Sequence, residues 1–167
     1  MTTLGRSVRR KRWRRLTCSL VTAQLGEVAI LLVDDDADTL EVLRDLIADE
    51  GAVVRTAMSA SEALEVLRTW TPDVLLIDIE MPVMNGYQLL SAIRSRPDLH
   101  NVPAVAVTGL GDPSDKDRAF AAGFEAHLTK PFEGAALIDL AERLASRPRP
   151  AKTPGASPRV LRPVSRL

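Results

Sequence analysis

The amino-acid sequence predicts a doubly wound α/β domain built on a five-stranded parallel sheet. Short apolar runs recur through residues 28–146, and apolar residues at helical spacing lie between them. Three of the runs are continuously apolar, which is typical of parallel strands that are covered on both faces. Alternation of strands and helices within one domain-sized segment is the pattern of an α/β fold.

The strands are assigned to five apolar runs. The three strongest cover residues 28–33, 73–78 and 104–109, and the two weaker ones cover 52–57 and 125–130. Runs of this length suit strands and are too short for buried helices.

Five helices are placed between the strands by their apolar faces and their capping residues. A serine or asparagine followed three residues later by glutamate or glutamine is a capping box, which satisfies free N–H groups at a helix start. Proline is favoured at the first helical position and glycine directly after a helix. In chain order the signals are Leu40, Leu43, Leu46 and Ile47 before Gly51, Ser59 with Glu62, Asn85 with Gln88, Asp112 before Pro113, and Leu137, Leu140, Ala141 and Leu144.

Charge is distributed unevenly along the chain, although the formal net charge is zero. Residues 1–26 contain seven basic residues and residues 147–167 contain six, and neither segment contains an acidic one. The part between them has nine basic residues against 22 acidic ones, a net charge of −13. We therefore predict a basic extension over 1–27, a folded domain over 28–146 and a tail rich in proline and arginine over 147–167, with both ends disordered.

Signals for membranes and secretion are weak. No window approaches 18 consecutive apolar residues, so we predict no membrane span. Polar residues interrupt the apolar stretch over 16–23, which argues against a cleaved signal peptide. The single cysteine, Cys18, cannot form an internal disulfide and fits a reducing compartment. We expect a cytoplasmic protein without a membrane partner.

Polar residues follow the predicted strands at the edge where the carboxyl ends of parallel strands meet. The first strand ends in Asp34–Asp36, the third in Asp78, the fourth in Thr108 and the fifth in Lys130. Ligands bind at this edge of an open parallel sheet. Crowded carboxylates repel unless a cation lies among them, and hard oxygen ligands suit Mg²⁺, which shares phosphate oxygens. A carboxylate can itself attack a phosphoryl group and form an aspartyl phosphate, while an ammonium and a hydroxyl bind the phosphoryl oxygens.

Each of these residues also has an ordinary structural interpretation. Aspartates often end strands as turn formers or helix caps, which we expect of Asp36 or Asp38. Threonine is common in strands, and most lysines are solvated. The prediction of a site therefore depends on all four positions occurring together at the same ends of successive strands.

Four motifs in this order resemble the receiver domains of response regulators. The motifs are VDDD (33–36), DIEMPVMNG (78–86), VTG (107–109) and KPF (130–132), and the similarity covers nearly all of residues 28–146. The resemblance implies a flavodoxin-like fold with strand order 2-1-3-4-5. It also implies two-component, or phosphorelay, signalling, in which a histidine kinase or phosphotransfer protein donates a phosphoryl group to this chain.

The resemblance further implies a role for each site residue. Lys130–Pro131 is expected to be a cis peptide bond. His127 occupies the aromatic switch position, where the family often has tyrosine or phenylalanine. The implied roles are Asp78 as phospho-acceptor, Asp34, Asp35 and Asp78 with the backbone carbonyl of Glu80 as ligands of Mg²⁺, Lys130 as the salt-bridge partner of the phosphoryl group, and Thr108 with His127 as the switch.

The implied protein is a phosphoryl-accepting signalling domain rather than an enzyme, although such a domain assists its own phosphorylation and dephosphorylation. It signals to an unknown downstream protein through the face formed by the fourth helix, the fifth strand and the fifth helix. The same face offers a surface for a homodimer.

Three alternatives remain open from the residues. The ending AHLTKPF (126–132) resembles the receiver of a hybrid histidine kinase, so the chain could be a fragment of one. The arginine-rich ends could bind nucleic acid, but the charge of −13 between them would repel phosphates. A metal-dependent phosphohydrolase is disfavoured because the motifs supply no second nucleophile.

Overall fold

The computed structural model describes residues 24–109 and 113–147. Within them five strands alternate with five helices. The predicted strand runs all coincide with strands, which are shorter than the runs by one residue or, at the fifth, by two. The elements are β1 (Ala29–Val33), α1 (Ala37–Asp49), β2 (Val53–Ala57), α2 (Ala60–Thr69), β3 (Val74–Asp78), α3 (Gly86–Arg94), β4 (Ala104–Thr108), α4 (Pro113–Ala121), β5 (Ala126–Thr129) and α5 (Gly134–Ala145).

All five strands join one parallel sheet in the order β2-β1-β3-β4-β5, which confirms the predicted order. Every residue of β3 and β4 is buried, which explains why their runs are continuously apolar. The two weaker runs form the edge strands, where β2 alternates in exposure and β5 is half-buried throughout. Position in the sheet therefore accounts for the strength of each apolar run.

Alternate residues of each strand feed two apolar clusters, one on each face of the sheet. Leu31 and Val33 of β1 point into the first cluster, and Ile30 and Leu32 point into the second. Helices α2 and α3 cover the first cluster, and α1 and α5 cover the second. Their buried side chains include Ala63, Leu67, Leu89, Leu90 and Ile93 in the first and Leu40, Ile47, Leu137, Ile138, Leu140, Ala141 and Leu144 in the second.

The helix starts follow the predicted capping signals with one difference. Asn85 and Gln88 form a complete capping box at α3. At α2 the Ser59 side chain accepts from the N–H of Glu62, but the Glu62 carboxylate accepts from the N–H of Met58 instead of Ser59. The predicted capping box at α2 is therefore only half formed, because the glutamate reaches one residue further back.

Three other predicted signals at the helix ends are confirmed. Asp36 is the N-cap of α1, where its side chain accepts from the N–H of Asp38. Gly51 directly follows the C-cap of α1 with φ +88, a conformation that glycine adopts without steric cost. Pro113 is the first residue of α4, as predicted, while Asp112 lies outside the described residues.

The folded domain begins before residue 28, its predicted start, because residues 24–27 already contact it. Residues 24–27 form a turn, and the Leu25 side chain is completely buried in the cluster under α1 and α5. The N–H of Leu25 donates to the carbonyl of Glu50 at 3.0 Å, and the N–H of Glu27 donates to the carbonyl of Gly51 at 3.0 Å. The rest of the predicted extension, residues 1–23, and residues 148–167 of the tail lie outside the described residues.

In the part of the chain that the structure describes, no helix combines the length and the apolar character needed to cross a membrane.

Candidate functional site

The carboxyl edge of the sheet brings together residues from four strands. Asp34 directly follows β1, Asp78 and Thr108 are the last residues of β3 and β4, and Lys130 directly follows β5. Asp34, Asp78 and Thr108 are exposed over only 4%, 5% and 3% of their surface, and they are the buried polar residues of the described ranges. Parallel pairing places all four at one edge because each strand ends at the same level.

Lys130 bridges the two buried carboxylates. Its Nζ donates to Oδ2 of Asp34 at 2.6 Å and to Oδ1 of Asp78 at 3.1 Å. The remaining carboxylate oxygens accept from backbone N–H groups two residues on, Asp34 Oδ1 from Asp36 at 3.0 Å and Asp78 Oδ2 from Glu80 at 2.9 Å. Every oxygen of the buried pair thus has a donor, as buried carboxylates require.

Burial and charge act in opposite directions on this pair. Burial raises the pKa of Asp78, the hydrogen bond and positive charge of Lys130 oppose that rise, and the negative charge of Asp34 adds to it. For Lys130, burial by itself would lower the pKa, but the bonds and charges of Asp34 and Asp78 outweigh it and raise the pKa. The ammonium is therefore held in its charged form between the carboxylates.

Three carboxylates could hold a divalent cation at the mouth of the site. One oxygen each of Asp34, Asp35 and Asp78 lies within 4.8 Å of the other two. Oxygens bound to one octahedral Mg²⁺ lie at most about 4.2 Å apart, a separation close to this limit. Asp35 is exposed, so the ion would face solvent and keep open positions for water or phosphate oxygens. The all-oxygen donor set fits Mg²⁺.

Glu80 lies at the site in the connection between β3 and α3. Its N–H binds Asp78, and its side-chain Oε2 lies 3.3 Å from the position that a Cβ on Gly109 would take. Glu80 therefore lies beside the residue that follows Thr108. The role of its backbone carbonyl as a metal ligand stays a prediction.

Gly86 allows α3 to begin directly against the end of β3. A Cβ at this position would lie 2.5 Å from the carbonyl oxygen of Asp78 and 3.0 Å from the Cα of Ile79. Such contacts are closer than real Cβ atoms make, so the close approach requires glycine. Val83 in the same connection has φ +69 and is fully exposed, a strained conformation for a β-branched residue.

The predicted switch residues lie on neighbouring strands. In the register of β4 and β5, Thr108 pairs with Thr129 and Ala106 pairs with His127. Ala126 and Leu128 pack under α1 and α5, so His127 points to the other face of the sheet, whose cluster includes Ala119 of α4. Nε2 of His127 is inaccessible to solvent, and no described residue hydrogen-bonds with it.

Asp34, Asp35, Asp78 and Lys130 thus meet in one cluster. Thr108 ends the neighbouring strand β4, Glu80 donates its N–H to Asp78, and His127 lies on β5 opposite Ala106. The expected cis peptide bond between Lys130 and Pro131 is present. What the sequence-based analysis missed is the pair of backbone N–H groups that hold Asp34 and Asp78. An aspartate at a strand end readily binds the N–H two residues on, so this turn could have been predicted.

A buried aspartate pair bridged by lysine, at the carboxyl edge of a 2-1-3-4-5 parallel sheet, defines the class of doubly wound receiver-like domains. A model of the response regulator receiver domain matches residues 30–142. The chain belongs to this family.

Curated relatives agree with this assignment. A Leptolyngbya boryana protein, described as an uncharacterized 14.6 kDa protein, is 40% identical over 71% of this chain and 91% of its own length. The polar-differentiation response regulator DivK of Brucella ovis is 30% identical over 62% of the chain and 85% of its length. The sensor histidine kinase CheAY of Helicobacter pylori is 32% identical over 71% of the chain, which spans only 15% of that protein.

Solved structures share the fold. A putative response regulator from Chloroflexus aurantiacus is 34% identical with a TM-score of 0.67, and the match covers 72% of this chain and all of that one. The signal receiver domain of a histidine kinase from Syntrophus aciditrophicus is 32% identical with a TM-score of 0.65, covering 72% of this chain and 90% of that one.

The pKa shifts of Asp78 and Asp36 predict that the two aspartates change the stability of the metal-free fold with opposite dependences on pH. Because the pKa of Asp78 is raised on folding, its stabilising contribution is present at low pH and is lost as the pH rises through the raised value. Asp78→Asn should therefore stabilise the fold more at neutral than at mildly acidic pH, measured by urea unfolding in EDTA.

Asp36→Asn is the matched control for that trend. The hydrogen bonds from Thr39 and Asp38 lower the pKa of Asp36, so its contribution is present at neutral pH and is lost as the pH falls through the lowered value. Asparagine is also a good N-cap and can still cap α1, so the variant should lose stability mainly at neutral pH. The same pH trend in both variants would contradict the assigned electrostatics.

Proposed function

We propose that this chain is a phosphorelay response regulator that accepts a phosphoryl group on Asp78 from a phospho-histidine donor, with Mg²⁺ as cofactor. The observation that carries the proposal is the bridge from Lys130 to Asp34 and Asp78 at the carboxyl edge of the sheet. It brings together a carboxylate that can act as a nucleophile, a cation and a second carboxylate, and the exposed Asp35 lies beside them.

The chemistry follows from the positions of these groups. An oxygen of the ionised Asp78 attacks phosphorus in line with the P–N bond of the donor, the P–O bond forms as the P–N bond breaks, and the imidazole leaves. Lys130 exchanges a carboxylate oxygen for a phosphoryl oxygen and keeps its positive charge throughout. Asp34, Asp35, Asp78 and the backbone carbonyl of Glu80 would hold Mg²⁺, which offsets the negative charge that gathers on the phosphoryl group.

The partners follow from the same chemistry. The donor is a histidine kinase or a phosphotransfer protein, and the acceptor of the signal is a downstream protein. The product is a phosphorylated signalling protein, and the domain's catalytic part is limited to its own phosphorylation and dephosphorylation. A cytoplasmic location fits this role. A receiver that forms part of a hybrid histidine kinase is the second candidate, favoured by the likeness to the Syntrophus kinase receiver.

The signal is proposed to leave through the face formed by α4, β5 and α5, which also offers a homodimer surface. The Thr108 hydroxyl moves to the phosphoryl group and changes the packing beside His127. Since Nε2 of His127 is already inaccessible to solvent, the change expected there is in hydrogen bonding and packing more than in burial.

The switch is tested by backbone amide shifts on adding beryllofluoride and Mg²⁺ to the isotope-labelled chain. Shifts should extend from the Asp78 pocket along β4 and β5 to α4, because Thr108 ends one of these strands and His127 lies on the other. Asp78→Asn is the control and should show none of them. Shifts that stop at the pocket would rule the route out.

Phosphorylation itself is tested by incubation with acetyl phosphate and Mg²⁺. The parent should take up one phosphoryl group per chain, sensitive to hydroxylamine as an acyl phosphate is, and Asp78→Asn should take up none. Asp36→Asn changes a neighbouring carboxylate outside the cluster and should still be labelled. Full labelling of the Asp78→Asn variant would contradict the assignment of Asp78 as the phospho-acceptor. Sustained release of phosphate by the unaltered chain would favour a hydrolase.

Asp35 tests the metal site. Asp35→Ala removes the exposed carboxylate of the three, so Mg²⁺ affinity should fall by about tenfold or more, about 1.4 kcal/mol, and phosphorylation should fall with it. The metal-free fold should become slightly more stable, since repulsion among like charges is relieved. Calorimetric titration measures the affinity, with Asp38→Ala on α1 as the control. Unchanged affinity in Asp35→Ala would place the metal elsewhere.

A further inference from the structure

Helix α1 presents a face of largely unpaired negative charge to solvent. Its exposed acidic residues recur at spacings of three and four, which places them on one side of the helix. Val42, exposed over 66% of its surface, lies among them. This surface, called the α1 acidic face, consists of Asp38, Glu41, Val42, Asp45 and Asp49.

The charges on this face are largely uncompensated. Arg44 is the one basic residue of α1, and it forms an exposed ion pair with Asp45. Over residues 24–109 and 113–147 no ion pair involves Asp38, Glu41 or Asp49. The face therefore combines charge with an apolar residue that nothing in the described ranges covers.

A segment of opposite charge precedes the domain. Residues 6–15, RSVRRKRWRR, contain seven basic residues, no acidic residue and one aromatic residue, Trp13. The segment is thus complementary to the α1 acidic face in charge. Its aromatic side chain, Trp13, offers an apolar surface that can pack on the exposed Val42.

The structure fixes where this segment is tethered. Leu25 is completely buried, and its N–H donates to the carbonyl of Glu50, the C-cap of α1. The chain that precedes Gln24 therefore joins the domain at the carboxyl end of α1. The nine residue-to-residue steps from Arg15 to Gln24 can span about 30 Å, and α1 is about 20 Å long, so the segment can reach the whole face.

We propose that residues 6–15 dock on the α1 acidic face of the same molecule. The arginines pair with Asp38, Glu41 and Asp49, and Trp13 covers Val42. Exposed ion pairs are individually weak and are screened by salt, so the contact depends on their number and on the high effective concentration that the tether provides. A partner that approaches α1 has to displace the segment first.

Other acidic surfaces of the domain fit the segment less well. Helix α4 mixes Asp115 and Asp117 with Lys116 and Arg118, and Glu65 of α2 is paired with Arg68. Neither helix is the one at which the chain enters. The choice of α1 therefore follows from charge and from the position of the tether together.

Paramagnetic broadening in the full-length chain tests the contact. Cys18 is the only cysteine, so Cys18→Ser combined with Ser7→Cys gives one nitroxide site at the start of the basic segment. At low salt the amide signals of Asp38–Asp45 should lose most of their intensity while those of Lys116–Ala121 keep theirs. High salt should restore the lost signals.

Two variants with the same change in net charge make the test specific. Glu41→Lys with Asp45→Lys should restore the α1 signals, whereas Glu65→Lys with Asp117→Lys should leave the broadening unchanged. Broadening that is uniform, absent or insensitive to the first variant would overturn the proposal. A mixture of spin-labelled chains and separate isotope-labelled chains provides a further test. The same broadening in that mixture would indicate that the segment docks on a second copy, and it would also overturn the proposal. A docked segment has to be released before it can bind duplex DNA. Equal DNA affinity of the unaltered chain and of the variant with Glu41→Lys and Asp45→Lys would therefore also overturn the proposal.

Discussion

The contact between Lys130 and two buried carboxylates is the interaction on which the site depends. Asp34 and Asp78 are almost completely buried, and two negative charges this close would repel strongly without a cation between them. Lys130 supplies that cation at 2.6 Å and 3.1 Å. Removing it would leave an unpaired buried charge, which is far more costly than losing a surface ion pair. The lysine therefore holds both carboxylates in their buried positions at the carboxyl edge of the sheet.

The parallel sheet is what makes this contact possible. Lys130 is 96 residues from Asp34 and 52 residues from Asp78 along the chain. The central strands β3 and β4 are buried on both faces, and each is apolar up to its last residue, which is polar. The apolar run of each of these strands thus lies in the core, and its polar residue lies at the edge of the sheet. This separation explains why a site with several charges is compatible with a stable core.

The two edge strands differ from the central strands of the sheet in their burial. β2 alternates in exposure, and β5 is half-buried along its whole length. β5 lies at the edge beside α4, and His127 points to the face of the sheet whose cluster includes Ala119, the one buried residue among the described side chains of α4. In the proposed switch, a change at Thr108 would therefore meet less resistance in this direction than towards the sheet centre, where every residue of β3 is buried.

Local pattern determined the elements, the capping of α1 and α3 and the polar residues at the strand ends, because each depends on neighbours within a few residues. The strand order came from the resemblance to receiver domains, since spacing does not distinguish one parallel order from another. Only the tertiary structure decided that Leu25 belongs to the core and that Nε2 of His127 is inaccessible to solvent. It also decided that the Glu62 carboxylate accepts from the N–H of Met58. The pairing of Lys130 with both aspartates at once was also decided there. These features depend on contacts between residues far apart in the chain, or on side-chain reach within a turn, and neither is encoded in the local pattern of apolar and polar residues.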